Sequence, residues 1–426
     1  MSYADAERVL ALTDREILKP LVDRVLDLSS RQREQYKKEL WAKFNALQPV
    51  DKIPVCVTFE GIPAPQWDLM FGTNHLRCKG SLARQLESDL KKRTWAAQNV
   101  PDDHVLWPAV SVTAAAAPYD WGVPITWHSP DDPLGAKKIV PFFADRIDLS
   151  KLRQPVTQMD EGATRFRVDE IAELVGGKLP VHARYPRLTD APFDIAVEMR
   201  GLQNILLDAY DAPDLLHGLM DFLTTAIVAD HKRREECGWL NAPADPSGKY
   251  QMVPIWRHIS AYLPEGFAAR PPLLADEWAY ISAQTSSGLG PEMYEQFVNV
   301  YDCRIAELYS NKTVYYHGCE CLDRKLDSIA KLPNLRRHHV SPWSSVKLAA
   351  EKYKGGVVLE VHVHPTEVIF NASREQMVAE VANLVKQADG HPMCLNLSDV
   401  HSLAGNPATL KYWALAAEEA LEPPVS

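Results

Sequence analysis

Apolar residues recur every three or four positions from 5 to about 47, where Val9, Leu10, Leu12, Ile17, Leu18, Leu21, Val22, Val25 and Leu26 form one stripe among charges. That spacing predicts two or three amphipathic helices. An apolar run at 53–59 predicts a strand, and the Gly/Pro stretch at 61–65 ends it. Polar helical sequence covers 81–97, and a strand-like run covers 104–112 inside a stretch, 101–153, rich in Pro, Trp and Ala. Residues 121–137 read as a long loop, of a size that compact domains keep for loops covering a site.

From 165 onward the rhythm is regular. Short apolar runs at 179–183, 272–275, 314–316, 335–340, 357–361 and 393–397 alternate with amphipathic stretches at 205–237, 292–310, 324–330, 344–353, 374–386 and 408–421. Strand and helix alternating over this length predict a parallel sheet with right-handed crossovers. Neither G-x-G-x-x-G nor G-x-x-x-x-G-K-[ST] occurs, so a dinucleotide or P-loop site has no support. The expected fold is α/β, a (β/α)8 TIM barrel of about 300 residues. Residues 1–50 form a helical N-terminal extension expected to shape the barrel mouth, and 51–426 the catalytic domain.

Composition adds constraints. A chain of 426 residues, 46% hydrophobic and 24% charged, is an ordinary globular one of one large domain or two. With 46 basic against 56 acidic residues it carries −10, so nothing attracts a phosphate backbone and no nucleic-acid partner is expected. The first twenty residues lack the charged and apolar regions of a signal peptide, and no apolar run approaches the roughly 20 residues of a membrane span. The seven cysteines, Cys56, Cys78, Cys237, Cys303, Cys319, Cys321 and Cys394, are odd in number and sparse, which suits a reducing cytoplasm.

Chemistry concentrates in Tyr315-Tyr316-His317-Gly318-Cys319-Glu320-Cys321, at the end of an apolar run. His317 and Cys319, two apart on an extended segment, point to one side. Imidazole nitrogen and thiolate sulfur are ligands that Zn2+ takes. Gly318 between them is expected to let the backbone approach the metal. A third ligand must come from elsewhere; Cys394, in the run 392–397, lies 75 positions beyond Cys319 and leaves room for intervening βα units. Three protein ligands with an open fourth position make a catalytic zinc. Two readings stay open beside this: Cys321 competes as a ligand, and a cysteine in a core strand is commonly a small buried hydrophobe.

These words, in order, resemble the uroporphyrinogen decarboxylase superfamily, in particular its zinc-dependent, corrinoid-using methyltransferase branch. The resemblance rests on Tyr315 to Cys319 followed by a helix and 335–341, and on Leu274-Ala275-Asp276-Glu277-Trp278-Ala279 before Pro291-Glu292-Met293-Tyr294. Val358-Leu359-Glu360-Val361-His362-Val363-His364-Pro365, the terminal 396–421, and 202–219 with its Asp211-Ala212-Pro213 step complete it. It covers about 100–420, with short words whose order and spacing hold. It implies a TIM barrel, zinc on His317, Cys319 and Cys394, and His364 in the cleft against cofactor or substrate. It also implies a corrinoid (cobalamin) that accepts or donates the methyl group of a small molecule. The chain has no D-x-H-x-x-G corrinoid signature, so a separate corrinoid-carrier protein is the expected partner. The R-Q-A-G-R motif of the decarboxylases is absent and the first hundred residues do not match, which weighs against decarboxylation and leaves the substrate open.

Asp276 and Glu277, placed at the end of a strand over 273–275, are read as catalytic: Glu277 as a fourth zinc ligand and Asp276 as the acid that orients it or gives up a proton. A helix cap or loop ion pair is the plainer alternative. His362 shares a face with His364. His338 and His339, behind Arg336-Arg337, meet an acidic group or lie at a solvated strand end. Ser398-Asp399-Val400-His401 suggests acid/base work or helix capping. Cys56, Cys78, Cys237 and Cys303 are read as packing. Trp67, Trp107, Tyr119, Trp121 and Trp127 would form an aromatic wall if their loops close over the mouth. O-demethylation of a methoxylated aromatic is therefore the preferred reaction. The alternatives are a methylcobamide-to-thiol methyltransferase, a metal-independent decarboxylase using Arg184, Arg187, Arg200 and Arg257, and a non-enzymatic accessory. A homo-oligomer is left open.

Overall fold

The computed structural model describes residues 3–59, 61–130, 137–252 and 260–422. Helices α1 (Tyr3–Ser29) and α2 (Gln32–Asn45) fill the N-terminal stretch as its apolar stripe predicts. Eight parallel strands follow: β1 (Val55–Val57), β2 (Val110–Thr113), β3 (Val181–Arg184), β4 (Ala279–Ser282), β5 (Val314–His317), β6 (Leu335–Val340), β7 (Val358–His362) and β8 (Met393–Leu397). Six of them form one sheet in the order β1-β8-β7-β6-β5-β4, and β2 pairs β3 separately. Single contacts link the two ladders. Asp103 N–H donates to the Val55 carbonyl at 2.7 Å, and an isolated parallel bridge joins Asp190 to Ile281. No closed ladder runs through all eight strands among the described residues.

Because strand side chains alternate, the sheet has two apolar faces. Outward, Val57, Val340, Leu359, Val361, Leu395 and Leu397 pack against helices through Val381, Leu410 and Trp413. Inward, Cys56, Tyr315, Val358 and Cys394 pack with Trp107, Tyr250, Trp278 and, from α2, Trp41 and Phe44. The indole N–H of Trp41 donates to the Asp103 carbonyl at 2.7 Å, and Arg337 donates to Asn45 Oδ1 at 2.8 Å. Helix α2 thus covers the N-terminal ends of the strands, opposite the end expected to carry the chemistry, so the expectation that the extension shapes the mouth is corrected. The boundary at 50 is one of sequence and not of core.

Two strand expectations also shift. The run 272–275 is not a strand: Pro271 and Pro272 have no N–H to give a ladder, Leu274–Asp276 form a 3-10 turn, and β4 begins at Ala279. Asp276 and Glu277 therefore precede a strand instead of ending one. The loop 121–137 contains Thr126–His128, which pairs antiparallel with Lys138–Val140; its residues 131–136 lie outside the described ones. Among the described residues no helix is long and apolar enough to cross a membrane.

Candidate active site

Strand periodicity and register assemble one polar patch on the inner face. Register pairs His339 with Glu360, Glu360 with Cys394, and His362 with Asn396, while Arg337 sits beside Tyr315. His317 at the end of β5 places Nε2 3.1 Å from Cys319 Sγ. Its other nitrogen, Nδ1, lies 2.8 Å from His339 Nδ1 and 3.1 Å from the Tyr315 hydroxyl. The Tyr280 ring stacks on it at 5.0 Å.

The patch continues through Glu360, which is fully buried. Tyr315 donates to its Oε1 at 2.9 Å, and Arg337 holds its Oε2 at 2.6 Å. His362 Nε2 lies 2.9 Å from the same Oε1, while His362 Nδ1 meets Ser398 Oγ at 2.7 Å. The His339 and His362 rings stack with centroids 3.9 Å apart and planes 6° from parallel. Among the described residues, one group of three or more His, Cys, Asp or Glu brings its ligand atoms within 4.8 Å of one another: His339, Glu360 and His362. Charge on Arg337 is favoured: burial opposes it, and Cys394 and Glu360 overcome that and raise its pKa. His338 faces the other way, against the Tyr353 hydroxyl at 3.1 Å, and burial pushes its pKa down to about 3.

The residues expected from sequence are distributed as follows. His317 and Cys319 meet. Cys394 belongs to the inner face one register step below His362, with Arg337 Nη2 at 3.5 Å from its sulfur and Asn396 Nδ2 at 3.9 Å. Asp276 is held by Arg270 at 2.6 Å and 2.9 Å and accepts from Leu273 N–H. Glu277 is buried between Arg234, at 2.9 Å, and Arg187, at 3.8 Å. Burial works against its charge, and the two guanidiniums more than offset that, holding its carboxyl below the usual range. Both acids thus show the ion-pair arrangement, outside the histidine cluster. His364 lies half-buried past the end of β7, its ring 5.6 Å from that of Trp343.

Other expectations are corrected. A Cβ at Gly318 would stand 3.0 Å from Glu320 Oε2 and from Leu322 Cδ1, so the glycine makes room for those side chains. His338 and His339 are buried, not solvated, and His339 does meet an acid, Glu360. The five aromatics do not form one wall: Trp107 is in the inner core, Trp67 stacks on Phe71 and Trp127 is exposed, while Tyr119 and Trp121 line one cavity with Arg187 and Leu188. Cys237 is exposed and does no packing. The arginines of the decarboxylase reading do not converge: Arg200 pairs with Asp208 and Arg187 with Asp190, Arg184 is exposed, and Arg257 lies outside the described residues.

Sequence reasoning passed over Glu360. The signal was present, because an acid inside the apolar run 357–361 and two positions before His362 obeys the same period-two rule that paired His317 with Cys319.

No family model and no curated protein sequence matches the chain. Its fold is similar to that of a methyltransferase from Methanosarcina mazei, with a TM-score of 0.54 and 16% identity over 90% of this chain and 98% of that one. At that identity the likeness concerns the fold.

Proposed function

We propose that the protein is a zinc-dependent methyltransferase on a closed (β/α)8 barrel, moving a methyl group between a small substrate and the cobalt of a corrinoid carried by a partner protein. The observation that carries the reading is the meeting of His317 Nε2 and Cys319 Sγ at 3.1 Å, at the C-terminal end of β5. Barrel enzymes keep their chemistry at that end of the strands. Eight parallel strands following one another in chain order, and the likeness to a fold borne by a methyltransferase, support it.

The donor set fits a zinc ion, since a neutral imidazole nitrogen and a thiolate are its customary ligands. His317 and Cys319 would hold it; Cys394, the third ligand expected from sequence, lies on the same inner face beside Arg337, outside the group of ligand atoms that gather within 4.8 Å. Bound zinc supplies Lewis acidity toward an ether oxygen or a substrate thiol. The chain's own residues prepare that chemistry. Tyr315 and His339 engage His317 Nδ1 and so fix the ring with Nε2 toward Cys319. Stacking of Tyr280 restrains the same ring.

A methoxylated aromatic is the first methyl donor to try and a thiol acceptor the second. Elemental analysis of the purified protein, with a visible-absorption assay of cob(I)alamin methylation against methoxyaromatics, methylamines and methyl thiols, tests the reading. Cys319→Ala is expected to lose both zinc and methyl transfer. A zinc-free variant with full activity overturns it.

A further inference from the structure

We infer that His339, Glu360 and His362 form a second divalent-metal site, separate from the His317–Cys319 pair, built from two imidazoles and one carboxylate. The three residues come from adjacent strands β6 and β7, and their ligand atoms lie within 4.8 Å of one another. All are buried, at 1%, 0% and 4% exposure.

The surroundings prepare each ligand. Ser398 Oγ occupies His362 Nδ1 at 2.7 Å and leaves Nε2 beside Glu360 Oε1. Arg337 takes Glu360 Oε2 at 2.6 Å and leaves Oε1 toward the imidazoles. Such outer partners orient metal ligands and fix their tautomers. Tyr315, 2.9 Å from Oε1, stands next to the same position. An all-nitrogen-and-oxygen set suits Zn2+, Fe2+ or Mn2+, whereas the Cys319 sulfur makes its own neighbourhood softer. The two imidazoles now stack nearly parallel, 3.9 Å apart, so their lone pairs do not meet at one point. An ion held by both imidazoles would require one ring to turn about χ2. Arg337 beside the carboxylate weakens the attraction for a cation, which makes this the weaker of two sites.

The test uses the full chain freed of metal with a chelator, given Zn2+, cleared of unbound ion and analysed for metal per chain. Wild type is expected to hold two equivalents, His362→Asn one, Cys319→Ser one, and the double variant none. Wild-type metal content in His362→Asn overturns the site. One equivalent that survives Cys319→Ser but not His362→Asn supports it and removes the zinc proposed at His317 and Cys319; the reverse pattern overturns this inference and leaves that reading standing. His339→Asn serves if His362→Asn does not fold by circular dichroism. The Cys319→Ser protein needs no change in the triad: Zn2+ should raise its Tm, and an unchanged Tm counts against the site. Loaded with Co2+ instead, it should show no thiolate-to-metal charge-transfer band, and such a band would overturn an all-nitrogen-and-oxygen ligand set.

Discussion

At the scale of single residues, the inner patch is held by charge that has nowhere else to go. Arg337 and Glu360 face each other at 2.6 Å with both side chains buried. Arg337→Leu leaves a carboxylate without its counter-charge and should cost about 3–5 kcal/mol in urea denaturation. Asp102 responds to pH in the opposite sense from an ordinary paired acid. Burial lifts its carboxyl from 3.8 to about 7, with Lys37 and the Val57 amide opposing. A proton bound more tightly in the folded chain stabilises fully below about pH 4, and that contribution is lost as pH rises through 7. Asp102→Asn should therefore gain stability relative to wild type between pH 5 and 8; equal pH profiles for the two would contradict the shift. The nearness of His317 and Cys319 was legible in sequence because they stand two positions apart, although β5 ends at His317 and Cys319 lies in a bend beyond it. The arginine partners of Glu277 were not, because Arg234 lies 43 positions away and reaches it through helix packing that no local pattern records.

At the scale of elements, sequence read best where a segment's own pattern decides its form. β6, β8 and the last helix, Ala408–Leu421, fall where the apolar runs end. β4 was displaced because its residues, Ala279–Ser282, carry a tyrosine and a serine in a weaker apolar signal than the Leu-Leu-Ala of the preceding turn. The helical run over 205–237 breaks at Ala212, since Pro213 opens a new helix and cannot continue the old one. The use of α2 was invisible in its pattern, because Trp41 and Phe44 look like one more amphipathic stripe until the strands they cover are known. Trp41 is 1% exposed, and Trp41→Ala should cost about 3–5 kcal/mol. The loss should appear in the near-ultraviolet signal of the inner aromatics as well as in the far-ultraviolet helix signal, since α2 and the strands share one core.

At the scale of the whole molecule, the strands enclose an inner core that α2 closes from one side, and further helices pack around the outside. The cysteines turn this into a clock. Cys237 and Cys321 are exposed, Cys78 is buried where α1 meets the helix Ser81–Asn99, and Cys56 and Cys394 are sealed inside the strands behind α2. Burial also lifts the Cys78 thiol to about 12 and raises that of Cys56 well above its ordinary value, so neither reacts while closed. An absorbing disulfide reagent applied to the native, metal-free chain should therefore release colour in steps. The surface thiols come first, then Cys78 as the N-terminal helices part, and last Cys56 and Cys394 together at the rate of global unfolding. Early labelling of Cys394 would mean that the interior breathes without the chain unfolding. The odd set of thiols thus carries, besides any chemistry, a readout of how deep each layer of the fold is closed.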